Sequence, residues 1–192
     1  MKNKWIIPVS IIGGIVLIVV IFFSWANGVY NNAIILQENV NRTWGDVLTN
    51  YQRRADLVPQ LVATVKGAAA NERGILTEVT QARAGIVNAK TPNDVEMMGK
   101  KINTAINLAF EAYPQIRSTE NFQELQAQLE GTENRIQVSR RDYNEAVMGY
   151  NTLIRGFFRK MAIGMMGSSG EFARKEMFQA AAGTEKAPEV KF

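Results

Sequence analysis

The chain has 192 residues, with 22 Lys and Arg against 18 Asp and Glu, a net charge of +4. That is room for one soluble domain and an appendage, and far from the charge density of a nucleic-acid binder. Cysteine and histidine are both missing, which removes disulfides, a thiol nucleophile, and the commonest general base and metal ligand. The composition therefore points away from an enzyme, a metal site or a bound cofactor.

The first element is an apolar run, Ile6 to Phe23, free of charge and containing Gly13 and Gly14. At about 1.5 Å per residue it spans roughly 27 Å, close to the thickness of a bilayer's hydrocarbon core. Trp5 and Trp25 flank it, as interfacial aromatics do. The competing reading is a cleaved signal peptide, with Ser24-Trp25-Ala26 near a cleavage position. The run exceeds the usual apolar region of such signals, so an uncleaved anchor is expected. Lys2 and Lys4 precede the span, and the next basic residue is Arg42. The positive-inside bias puts the N-terminus in the cytoplasm and the rest outside it, which in a bacterium means a single-pass inner-membrane protein with its folded part periplasmic or extracellular. Ser10-x-x-x-Gly14 has the small-residue spacing that lets membrane helices approach closely.

Apolar residues then recur at three and four: Val29, Ala33, Leu36, Val40, Trp44, Val47 and Tyr51. This helical face continues out of the span without a linker. Pro59 predicts a corner, with Asp56 as N-cap of a second helix periodic from Leu61 to Ile86. A kinked single helix is the alternative at Pro59. Lys90-Thr91-Pro92-Asn93-Asp94 reads as a turn and helix start. A third helix follows through Val95, Met98, Ile102, Ala105, Ile106 and Tyr113. The fourth and longest, broadly heptad and coiled-coil-like, runs from Phe122 through Leu125, Leu129, Thr132, Ile136, Tyr143 and Tyr150 to Ile154. The expected fold is all-α: an N-terminal transmembrane helix over 1–25, then an antiparallel four-helix bundle over 26–160. Residues 161–192, rich in Met and Phe and then in Ala, read as loosely ordered unless an oligomer or the membrane holds them.

Four clusters are candidates for interaction. Arg53, Arg54 and Asp56 offer guanidinium forks to an anionic group, or form ordinary helix ends with Arg54 paired to Asp56. Among the acids, Glu72 and Glu133 are the candidates for inward placement, with Arg140 a possible counter-ion. Tyr143-Asn144 and Tyr150-Asn151, one heptad apart, suit either a ligand-stacking ladder or core tyrosines with interhelical asparagine bonds. Basic residues alternate with Phe157, Phe158, Met161, Met165 and Met166 between Arg155 and Gly167, which suits a membrane-surface segment or packing against a neighbouring subunit.

The chain resembles the LemA family of bacterial membrane-anchored proteins. The resemblance rests on Trp44-Gly45-Asp46-Val47, Arg53-Arg54-Ala55-Asp56-Leu57-Val58-Pro59, Leu61-Val62, Thr64-Val65-Lys66-Gly67 and Ala82-Arg83. It continues through Tyr113-Pro114, Asn121-Phe122, Leu125-Gln126, Thr132-Glu133, Arg140, Tyr143-Asn144, Tyr150-Asn151 and Ala187-Pro188-Glu189-Val190. Gln60 stands where the family usually has Asn, and Gly156-Phe157-Phe158 lacks the family's proline. The resemblance implies one membrane helix and an antiparallel four-helix domain, and no established catalytic activity, metal or substrate. The expected role is a non-catalytic scaffold or assembly component. Its partners would be membrane lipids, further copies arranged in a ring, and other envelope proteins, with no nucleic acid. An extracytoplasmic module that senses a small ligand or a partner is the alternative.

Overall fold

The computed structural model describes residues 6–64, 69–112, 120–167 and 170–179. Every element among them is helical: α1 Ile6–Thr64, α2 Ala69–Val87, α3 Pro92–Ala112, α4 Glu120–Arg155 and α5 Phe157–Met166. The expected all-helical class holds. One expectation fails: Pro59 lies inside α1, which continues to Thr64. Neither the corner at Pro59 nor the N-cap at Asp56 forms, and the helix that leaves the apolar run is the same helix that carries Arg53 to Asp56. Leu61 to Leu76 have side chains outside the described set.

The reason for the long helices is a sustained repeat. Along α1, Ala26, Ala33, Val40 and Val47 are buried at exact heptad intervals, and Tyr51, Ala55 and Val58 continue the face. Along α4 one set of buried positions steps alternately by four and three: Leu125, Leu129, Thr132, Ile136, Ser139, Tyr143, Ala146, Tyr150 and Leu153, with Val147 and Asn151 buried beside it. A spacing averaging 3.5 keeps one seam turned toward a neighbour over many turns. Two polar residues sit on that seam, each satisfied within its own helix: Thr132 Oγ1 donates to the Leu129 carbonyl at 2.8 Å, and Ser139 Oγ to that of Ile136 at 3.0 Å.

The chain divides into two compact units. The first comprises Met1–Asn41 and Ala146–Lys175. Its core is Ala33, Leu153 and Ile163, with Val29, Leu36, Ile154 and Phe172 packed around them. Tyr30 closes one side of this core. Its hydroxyl donates to both Glu171 carboxylate oxygens at 2.9 and 3.1 Å, and its ring meets Phe172 edge-on. A Cβ on Gly167 would stand 2.6 Å from the Tyr30 ring, so only glycine fits there without displacing it.

The second unit comprises Arg42–Glu145 and Glu176–Phe192. In it α2 packs on α3 across a four-residue connection. The turn before α3 carries a reciprocal cap. The Asp94 carboxylate accepts from the Thr91 and Lys90 backbone N–H groups at 3.0 and 3.2 Å, and the Asp94 N–H donates to Thr91 Oγ1 at 3.2 Å. Pro92 stands at the first helical position, where its missing N–H costs nothing. Gly99 lets Tyr51 close in: a Cβ there would lie 2.5 Å from the ring.

The cap predicts a pH dependence. The hydrogen bond from Thr91 and those from the two backbone amides hold the Asp94 carboxyl below its ordinary 3.8. A folded-state pKa below the unfolded one means that the cap's contribution is complete above the ordinary value and is lost as pH falls through the lower one. The Asp94 side chain should titrate below 3.8 by NMR, with amide exchange at the start of α3 rising over the same range. Thr91→Ala should cost about 1 kcal/mol and move the titration back toward the ordinary value.

Candidate functional site: two clamps on an extended segment

Residues 173–179 form no helix or strand of their own. The two Tyr-Asn dipeptides of α4 hold them. In the first unit, Asn151 Nδ2 donates to the Lys175 carbonyl at 2.9 Å, and the Lys175 N–H donates back to Asn151 Oδ1 at 3.1 Å. Tyr150 donates its hydroxyl to the Ala173 carbonyl at 3.0 Å. In the second unit the same device recurs. Asn144 exchanges both bonds with Phe178, at 2.9 and 2.8 Å, and Tyr143 donates to the Glu176 carbonyl at 3.0 Å.

Each asparagine amide thus behaves as a residue of a neighbouring strand would, giving one bond and taking one from the same partner. In sequence the two clamps lie seven residues apart on α4, and the residues they hold, 173 and 175 and then 176 and 178, lie three apart. Burial raises the pKa of the Tyr143 and Tyr150 hydroxyls above the usual value, so both remain donors across the neutral range.

Side-chain specificity is confined to Phe178, which is buried while Met177 and Gln179 beside it are exposed. Its ring lies 6.1 Å from that of Trp44 at 27° and meets Tyr143 edge-on at 5.5 Å. The Arg140 guanidinium lies 4.7 Å over the Phe178 ring. Arg140 also pairs with Glu96 and reaches the Gln179 carbonyl at 3.4 Å. The seven-residue repeat was legible in the sequence, but its partner was not. The core placement of both tyrosines holds, since Tyr143 and Tyr150 are buried, but the asparagines bond to the backbone of Phe178 and Lys175 rather than across helices.

The other candidates are dispersed. Arg54 pairs with Glu133 and Asp56 with Arg83 at 3.1 Å, so Arg54 and Asp56 do not pair with each other. Arg53 points to solvent. The counter-ion of Glu133 is Arg54, not Arg140, and the Glu72 side chain lies outside the described residues. Arg54, Glu133, Glu96, Arg140 and Lys100 line one open cleft of the second unit, which Gln179 also borders. Both arginines in it are already neutralised. Among the described residues no three carboxylates come together as a metal site would require. Around Ser10, Gly13 and Gly14 the apolar run projects outward, and a Cβ on either glycine would meet nothing within 4 Å. Phe23 is exposed too. On α5, Phe157, Phe158 and Met165 are exposed and Met166 is half-buried.

Among the described residues every regular element is helical, and the N-terminal helix is long and apolar enough to cross a membrane, with mean hydropathy 2.6 over the apolar window. The LemA family profile matches residues 43–192, and the chain belongs to that family. No curated protein matches it.

Proposed function

We propose that this LemA-family chain is a single-pass envelope protein whose folded part lies outside the cytoplasm and serves as a non-catalytic scaffold, self-associating side by side into a ring. The observation that carries this reading is the continuity of α1. Within the first unit the helix runs on from the apolar run to Asn41, and about 20 residues suffice for the hydrocarbon core. No linker separates the apolar run from Ala26, Ala33 and Val40, the buried face of that unit, so span and first unit move together and neighbouring copies keep a fixed angle at the membrane. Copies that share one membrane and one orientation associate about an axis along its normal, and head-to-tail contacts about such an axis close. An antiparallel four-helix arrangement of the second unit fits its paired residues. Trp44 meets Tyr143 and Arg54 meets Glu133, so numbers rise along α1 as they fall along α4.

A C-terminal reporter active only in the cytoplasm should stay silent. Strong reporter signal would overturn the orientation and the extracytoplasmic role with it. Differently tagged copies extracted in mild detergent should co-purify, and a uniform monomer in several such detergents would sink the assembly reading.

A further inference from the structure

Helix α5 has two apolar faces. At 100° per residue, Ala162, Ile163 and Met166 fall on one side, and the first two are buried against the core of the first unit. Phe157, Met161, Met165 and Phe158 fall within an arc of about 100° on another side. All four are exposed, Phe157 at 77% and Phe158 at 66%. A helix that had only to cap the core would carry polar residues there.

We propose that this outer face lies in the headgroup layer of the membrane that α1 crosses, on a surface bearing anionic phospholipid. The inference rests on the anchored reading above and identifies lipid as what covers this face. Three observations in the same unit support it. The first is level. Gly167, at the end of α5, lies beside Tyr30, five residues or about 7.5 Å along α1 from Trp25, while the headgroup layer is about 5–8 Å deep. The second is charge. Arg155, Arg159 and Lys160 are exposed, and no acidic residue occurs between Glu145 and Glu171. Basic residues beside an anionic leaflet are attracted to it, and long basic side chains extend toward phosphates while their stems stay in the apolar layer. The third is side-chain type: phenylalanine and methionine fill an irregular, mobile acyl boundary well.

The native chain has no cysteine, so a single nitroxide can be placed cleanly. Full-length protein carrying Met161→Cys, Ile15→Cys or Gln137→Cys would be labelled and reconstituted in nanodiscs of equal parts phosphatidylcholine and phosphatidylglycerol. Accessibility to dissolved oxygen and to a water-soluble nickel chelate is then compared by EPR. The oxygen-over-nickel preference at Met161→Cys should be several-fold that at Gln137→Cys and approach that at Ile15→Cys. It should fall in discs of phosphatidylcholine alone, and an unchanged preference would remove the anionic requirement. A nickel-accessible label at 161 with an oxygen-rich one at 15 overturns the inference and leaves the anchor standing. A nickel-accessible label at 15 overturns the anchor itself. A label at 161 shielded from both reagents and broadened by a second nitroxide shows a neighbouring copy on this face, which also overturns the lipid assignment.

Discussion

Pro59→Ala is expected to stabilise the protein. Proline inside a helix costs about 3 kcal/mol relative to alanine, because it has no N–H for the carbonyl four residues back and its ring crowds that carbonyl. Here the carbonyl is that of Ala55, within α1. The Pro59 side chain is exposed, so the change removes no core packing. The freer unfolded chain of the variant offsets about 0.4–1 kcal/mol, leaving a net gain of about 2 kcal/mol. The urea midpoint should rise with an unchanged slope. A lower midpoint would mean that the distortion at Pro59 is needed to seat Leu57 and Val58, and would refute the simple helix-interior account.

The misreading at Pro59 shows where local rules yield. Ala55, Leu57 and Val58, just before the proline, are 1%, 6% and 0% exposed. Burying Leu57 and Val58 stabilises by about 1.5–3 kcal/mol each, which together offsets one proline penalty. Tertiary packing therefore carries α1 through a residue that should have ended it. The heptad faces of α1 and α4 were legible because burial repeats along a single element. Arg54 with Glu133 and Asp56 with Arg83 were not, because each pair joins residues far apart in sequence and a charge on a helix advertises no partner. The segment 173–179 was the least legible. Ala173, Arg174, Glu176, Met177 and Gln179 are all exposed, so the segment carries no periodic pattern. What fixes it is the backbone, which has no sequence signature. Its signal lay on the other side of the contact, in two Tyr-Asn pairs seven residues apart.

That placement makes the segment's attachment measurable at Arg174 and Lys175, two trypsin sites within it. A protease needs the segment detached, and when opening and reclosing are fast the cleavage rate follows the open fraction. Asn151→Ala removes both bonds to Lys175. At about 1 kcal/mol for each bond, the open fraction should rise about 30-fold. Cleavage after these two residues, mapped by mass spectrometry, should accelerate by that factor, while helix content and melting temperature change little. Asn151→Asp keeps an acceptor for the Lys175 N–H but cannot donate to the Lys175 carbonyl, and with one bond lost should raise the rate about fivefold. Tyr150→Phe removes a single bond to Ala173 and should raise the rate about fivefold. Phe178→Ala empties the contact with Trp44, Tyr143 and Arg140. Its cost, about 3 kcal/mol if the site cannot collapse, is capped at the free energy that holds the segment in place. An Asn151→Ala protein that keeps its helices and is cut after Arg174 no faster than wild type would show that the two-way asparagine clamp does not hold the segment.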